Sequence, residues 1–211
     1  ACSWIKLKYE TPIIIDLAWR KLQEKITSRP LKPQRALVAG FGSLGRYMKE
    51  RLAVTCPTAY FDIDQTKSMF SKEELQQEIY SFDLIVGTSG ETSIDANLLA
   101  TITSPTTLAS VSSSDREFAI LALRRQHARI YHCHRDLVLG QLQLLNCGFP
   151  INFDADHTAI DSDEFQLTRA IIFGAICQAS KSTYYSTSFI KLNLQLQQLL
   201  EKKLLGMSYE K

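Results

Sequence analysis

The 211 residues carry 24 basic and 22 acidic side chains, a formal charge of +2, with 45% hydrophobic and 22% charged residues. This is the balance of an ordinary globular chain, and nothing in it draws the protein to nucleic acid or to a membrane surface. The longest apolar run, Ile13–Ala18, is far too short for a membrane span and is broken by Asp16. Five cysteines (Cys2, Cys56, Cys133, Cys147, Cys177) form no CxxC pair and are odd in number. They read as reduced thiols of a cytoplasmic protein. The first residue is Ala1 rather than Met, so the lack of a leader excludes nothing at that end.

Along the chain, residues 1–10 mix Trp4, Ile5, Leu7 and Tyr9 with lysines, as in a short strand. Thr11 and Pro12 then suit the cap and first position of a helix running to about Ile26, ended by the prolines of Thr27–Pro33. Trp19 and Leu22 share its apolar face and read as core or interface anchors. A short apolar run, Ala36–Ala39, meets Gly40-Phe41-Gly42-Ser43-Leu44-Gly45, after which Leu44, Met48 and Leu52 recur at helical spacing. This is the strand, glycine turn and helix of a dinucleotide-binding βαβ unit. Gly40 permits the tight turn, Gly42 lets backbone approach a pyrophosphate, and Gly45 lets helix and strand pack closely. The free N–H groups at the start of that helix would face the phosphates. A second strand, Ala59–Ile63, ends in Asp62 and Asp64 at the distance where a carboxylate accepts both ribose hydroxyls and repels a 2′-phosphate. NAD is therefore expected over NADP.

A helix is expected over Lys72–Ile79, and the unbroken apolar run Leu84–Gly87 suits a parallel strand covered on both faces. Thr88-Ser89-Gly90 follows it, at the edge of an open α/β sheet where ligands bind. Ile94–Thr101 reads as a helix and Thr107–Val111 as a strand ending in Ser112-Ser113-Ser114-Asp115, with a helix over 115–126. Ala128–Cys133 and Val138–Asn146, around Gly140, read as further strands. Cys147–Pro150 is a sharp turn, Asp161 and Glu164 resemble a capping box opening a helix to about Ser180, and a last helix spans Ser188–Leu205. The alternation predicts an α/β fold, a Rossmann-like doubly wound parallel sheet with flanking N- and C-terminal helices. Residues 1–34 would be an N-terminal segment packed on the core, 35–180 the nucleotide-binding domain and 181–211 a C-terminal helix.

The order of these pieces resembles the NAD-binding domain of the S-adenosylhomocysteine hydrolase family. That family's GYGDVGK is matched by Gly40–Arg46, and its strand-ending Glu-Ile-Asp by Asp62-Ile63-Asp64, which gives Asp62 the ribose position. Its Thr-Thr-Gly is matched by Thr88-Ser89-Gly90. Its NIGHFDxE is matched by Ser110–Glu117, which keeps Asp115 and Glu117 but has Ser113 for the histidine. LLAEGRLVNLG is echoed by Leu137–Gly148, which places Asn146 on the asparagine at the nicotinamide end. The resemblance spans roughly residues 10–180 and departs at Lys67, where the family has an asparagine, and at Phe149-Pro150 and His157, where it has a GHP segment. The family's substrate domain has no counterpart here. The resemblance therefore implies a cofactor module of an NAD-dependent enzyme acting by hydride transfer, completed by a substrate domain or a second subunit.

The expected cofactor-binding residues are Gly40, Gly42, Ser43, Leu44, Gly45, Asp62, Thr88, Ser89, Gly90, Ser112, Ser113 and Asn146. Asp154-Ala155-Asp156-His157 follows Asn146, and His157 is the expected proton-transfer residue if the chain is catalytic. His132 and His134 would share one face of a strand, but spacing supplies no third ligand, so no metal is expected. Two other readings stay open. One is a non-catalytic nucleotide-binding module of a larger protein. The other is a domain binding S-adenosylmethionine, as in methyltransferases, although the Gly42/Gly45 spacing suits a pyrophosphate that the methyl donor lacks.

Overall fold

The structure, a computed structural model, describes residues 3–27, 32–113, 115–121, 124, 135–152, 166–181 and 191–208. By contacts the chain divides into two compact units, Ala1–Ile14 with Thr158–Lys211, and Ile15–His157.

The larger unit is built on a six-stranded sheet in the order β2-β1-β3-β4-β6-β5. β1 (Ala36–Ala39), β2 (Thr58–Phe61), β3 (Leu84–Gly87), β4 (Thr106–Ser110) and β6 (Leu142–Leu144) run parallel. β5 (Leu137–Leu139) turns back at Gly140 to pair antiparallel with β6. Successive strand residues point to opposite faces, and both faces are apolar here. Leu37, Ala39, Ile85 and Leu108 enter one core, while Ala36, Val38, Leu84, Val86 and Ala109 enter the other. That is why β1 and β3 are unbroken apolar runs rather than alternating ones.

Helices cover the two faces separately. Met48 and Leu52 of α2 (Ser43–Ala53), with Ile15, Ala18, Leu22 and Ile26 of α1 (Trp4–Thr27), close the second core. Leu75 of α3 (Lys72–Glu78) and Leu98 and Leu99 of α4 (Ala96–Ala100) close the first, together with Phe118 and Ile120. The expected doubly wound α/β architecture is what forms. Strand order reverses between β1 and β3, which opens a crevice at their carboxyl ends. Trp19 is half-buried against the second core, as an anchor should be.

The start of the chain differs from expectation. Residues from Trp4 onward are helical rather than a strand, and Thr11 and Pro12 lie inside α1 instead of opening it. A proline there removes one i→i−4 hydrogen bond, but Ile15, Ala18, Leu22 and Ile26 recur every three or four residues and bury fully or nearly so. Packing outweighs the local stop signal. In the smaller unit Ile5 packs with Leu167 and Ile171 of α5 (Gln166–Ser180) and with Leu200 and Leu204 of α6 (Leu194–Ser208). Ser3 Oγ donates to Gln197 Oε1 at 2.8 Å, Thr168 Oγ1 to Glu10 Oε2 at 2.9 Å, and Lys8 pairs with Glu201 at 2.8 Å. Gly174 of α5 packs closely on Leu196, where a Cβ would stand 2.9 Å from Leu196 Cδ2.

The strand expected over Ala128–Cys133 and the capping box at Asp161 lie outside the described residues. The helix expected over 115–126 does not begin at 115: residues 115–120 are turn and other non-helical backbone, with Phe118 bridged to Ile94, and among the described residues helix is seen only at Leu121 and Arg124. No helix among the described residues is long and apolar enough to cross a membrane.

The inward face of α2 gives a direct check. Leu52 is fully buried and Tyr47, on the same helix, is exposed. Leu52→Ala should lower the unfolding free energy by about 2–5 kcal/mol in a denaturant titration. Tyr47→Ala should change it by less than about 0.5 kcal/mol.

Candidate functional site

The crevice begins where β1 ends. Gly40 has φ +96°, and a Cβ there would stand 2.6 Å from the backbone of Ser89, so only glycine fits. A Cβ on Gly45 would overlap the carbonyl oxygen of Gly40 and stand 2.9 Å from Thr88 Oγ1. Thr88 locks the turn from the β3 side, its N–H donating to Ala39 O at 2.8 Å and its hydroxyl to Gly40 O at 2.6 Å. Gly42 is the N-cap of α2, without a side-chain cap, and nothing lies within 4 Å of where its Cβ would be. The first helical bond runs from Arg46 N to Gly42 O at 3.1 Å. The N–H groups of Ser43, Leu44 and Gly45 precede it, at the positive end of an 11-residue helix facing open space. This is the cradle that a phosphate or pyrophosphate requires.

The two carboxylates after β2 have different surroundings. Asp62 turns toward the glycine loop, where its Oδ2 accepts from Phe41 N at 2.6 Å and its Oδ1 from Asp64 N at 2.9 Å. A carboxylate has about four lone-pair sites, so two backbone donors leave room for ribose hydroxyls. Asp64 instead accepts from Lys67 Nζ at 2.6 Å and from Thr66, and these partners, Lys67 foremost, lower its pKa to about 2. The ring of Phe41 stacks on Tyr60 with centroids 3.8 Å apart, and the guanidinium of Arg46 lies 5.8 Å from the Phe41 centroid.

On the far side of the switch point, the exits of β3 and β4 meet over one buried carboxylate. Glu117 has 0% exposure. Its Oε1 accepts from Gly90 N at 2.5 Å, and its Oε2 from Ser89 Oγ at 3.0 Å and Ser93 Oγ at 3.1 Å. The Ser112 hydroxyl bonds to it as well. Gly87 is glycine for this reason, since a Cβ there would lie 2.8 Å from Glu117 Oε2. Ser112 is buried and Ser113 is exposed. The sequence gives no site role to Glu117. Its signal there is the Ser110–Glu117 motif match, which keeps this glutamate without assigning it a role.

Asn146 lies in a turn of three consecutive left-handed residues, Asn146 (φ 52°), Cys147 (φ 51°) and Gly148 (φ 79°). Asparagine and glycine tolerate this region, whereas cysteine is uncommon there. Side chains hold it in place. Arg124 donates through Nε to Cys147 O at 2.8 Å and again through Nη2, is paired with Asp115 at 2.5 Å, and lies 4.4 Å from the Phe149 ring centroid. Asn146 N donates to Asp136, itself paired with Lys25, and Asn146 Nδ2 donates to Pro150 O at 2.9 Å. Ile151 N donates to Ser110 O at 2.9 Å, which brings this turn to the end of β4. Arg124 and its acceptor are 23 residues apart, so no motif reveals this clamp.

His157, the loop from Asp154, Ser114 and the His132–His134 pair lie outside the described residues. Among the described residues no three His, Cys, Asp or Glu side chains gather as metal ligands. Cys56 and Cys177 are free thiols.

No protein-family model matches the chain. It is 33% identical over 185 residues to the uncharacterized proteins MT0113 and Rv0104 of Mycobacterium tuberculosis, and spans 36% of the length of each. Among solved structures it is similar to a D-isomer specific 2-hydroxyacid dehydrogenase family protein from Klebsiella pneumoniae 342, at 10% identity and TM-score 0.45. That match covers 83% of this chain and 67% of the other. It is also similar to a dipicolinate synthase chain from Bacillus halodurans, at 16% identity and TM-score 0.43, over 55% of this chain and 45% of that one.

Burial holds the Glu117 carboxyl above its ordinary 4.5, against the opposing pull of the Gly90 N–H and the Ser89, Ser112 and Ser93 hydroxyls. The folded state thus binds this proton more tightly than the unfolded chain. The stability it contributes is full below the ordinary value and is lost as pH rises through the raised one. Thermal melts of the protein and of Glu117→Gln should therefore show the wild type losing ground to the variant as pH rises above 4.5. A constant difference across that range would contradict this.

Proposed function

We propose that the crevice at the carboxyl ends of β1 and β3 binds NAD(H). The pyrophosphate would lie on the amides of Gly42, Ser43, Leu44 and Gly45, below the tight turn at Gly40, and the adenosine ribose on Asp62. The remaining half would extend toward Thr88, Ser89, Gly90, Ser112, Ser113 and Asn146. One observation carries this reading. An uncapped helix start faces open space directly after a φ +96° glycine, with a carboxylate hydrogen-bonded to the same loop. Asp62 would repel a 2′-phosphate, which favours NAD over NADP.

The finer reading is a cofactor domain like that of S-adenosylhomocysteine hydrolase, part of an enzyme working by hydride transfer. Its support is the ordered set of motifs from Gly40 to Gly148. A bound nicotinamide would accept or donate the hydride. This chain's residues would orient the ring and shield it from water, with His157 proposed for any proton transfer. A substrate domain or partner subunit would supply the rest, and the chain spans only 36% of its curated relatives. A non-catalytic module is the second reading. It is favoured by Thr88 and Asn146, whose side chains donate to the chain's own carbonyls as struts rather than reacting groups.

Isothermal titration calorimetry distinguishes these expectations. NAD should bind at least about tenfold tighter than NADP, the size of one charged hydrogen-bonding contact. Asp62→Asn should weaken NAD by about tenfold and narrow the gap to NADP. Folded protein that binds neither nucleotide, or prefers NADP, would overturn the assignment.

A further inference from the structure

The most deeply buried carboxylate at the crevice is not one that the nucleotide reading uses. A side chain that only filled space beside Gly87 would need no charge, and an ionised carboxylate withdrawn from water is costly unless hydrogen bonds replace its hydration. For Glu117 the replacements come from two loops. Gly90 N, Ser89 Oγ and Ser93 Oγ belong to the exit of β3, and Ser112 belongs to the exit of β4. The main chain of Glu117 adds to this, its carbonyl accepting from Ser93 N at 3.1 Å and Ile94 N at 3.2 Å. The same exit of β3 abuts the phosphate turn, because the Ser89 backbone occupies the space beside Gly40.

We propose that Glu117 is the positioning residue for the nicotinamide half of the crevice, its carboxylate setting where the loops after β3 and β4 stand relative to the bound dinucleotide. The inference rests on the NAD(H) reading above. Glu117 is fully buried, so it touches no ligand and acts through Ser89, Gly90 and Ser112. The adenosine and pyrophosphate half depends on different groups, the Gly42–Gly45 amides and Asp62. Loss of Glu117 should therefore injure the two halves of a dinucleotide unequally. Glutamine keeps one oxygen for the Gly90 N–H, and its amide can donate to serine hydroxyls that rotate to accept. Alanine removes the carboxylate from all four donors, leaving Ser89 Oγ its bond to Glu91 O at 2.6 Å and Ser93 Oγ its bond to the residue 117 carbonyl at 3.3 Å. Ser93→Ala removes a single donor on the side away from the glycine turn.

The test titrates NADH, followed by its nicotinamide fluorescence, and ADP, followed by calorimetry, into the wild type, Glu117→Gln, Glu117→Ala and Ser93→Ala. Glu117→Ala should lose about tenfold or more in NADH affinity and less than about threefold for ADP. Glu117→Gln should recover part of the NADH loss, and Ser93→Ala should show a smaller loss of the same selectivity. If Glu117→Ala does not fold, the other two variants carry the same comparison. Equal losses for NADH and ADP, or unchanged NADH affinity in the variants that fold, would overturn the positioning role. Wild-type protein that binds neither NADH nor ADP would instead overturn the NAD(H) reading, and this inference with it.

Discussion

The carbonyl of Gly40 and the Cα of Gly45 approach so closely that no side chain fits between them. That approach lets α2 begin directly above the end of β1, and it fixes where the helix points its unbonded amides. Thr88 then closes the same turn from β3, by its N–H and by its hydroxyl. Because Ser89 packs against Gly40, the exit of β3 is set by the glycine turn as well. A side chain at either glycine would therefore disturb two strands and one helix at once. Alanine at Gly40 would also force a residue into a left-handed conformation that L side chains rarely adopt.

Around this apolar and steric framework the polar groups form a second, sparser layer. Its members are half-buried or buried charged and amide groups that join loops rather than strands. Asp62 ties the exit of β2 to the glycine turn, and Glu117 ties the exit of β3 to that of β4. Arg124 and Asp115 hold the left-handed turn at Cys147, and Asp136 holds Asn146 from the other side. Loops at a sheet edge bury little apolar surface, so hydrogen bonds to charged groups do most of their ordering. All four of these ties involve charged groups half-buried or deeper, which keeps salt from screening them as it would an exposed pair such as Arg51 with Asp16.

Much of this was legible in the sequence, and the boundary has a physical cause. Leu84–Gly87 reads as a strand because both of its faces are covered, and Gly40–Gly45 reads as a phosphate turn because each glycine answers a local steric demand. Signals within a few residues of one another carried that far. Residues 4–10 misled because their mixture of lysines and large apolar groups fits a strand locally, whereas their helix is fixed by partners such as Leu167 and Leu200 far along the chain. Pro12 misled in the same way. The roles of Glu117 and Arg124 were hidden because the partners that tie them to other loops, Ser89, Gly90 and Ser93 for the one and Cys147 for the other, lie 23 to 28 residues away, and a single acidic or basic residue on a loop normally faces water. Asp62 was visible as a carboxylate after β2, but its bond to Phe41 N was not.

The claim on which the rest stands is that the uncapped start of α2 receives the pyrophosphate. The most direct measurement is a nuclear magnetic resonance titration of NAD into ¹⁵N-labelled protein, read amide by amide. Binding at the crevice predicts that the largest shift changes fall on Gly42, Ser43, Leu44 and Gly45, with smaller ones at Ser89 and Gly90. Changes concentrated at the opposite edge of the sheet, around Gly140 and Gln141, or no changes at saturating NAD, would contradict it.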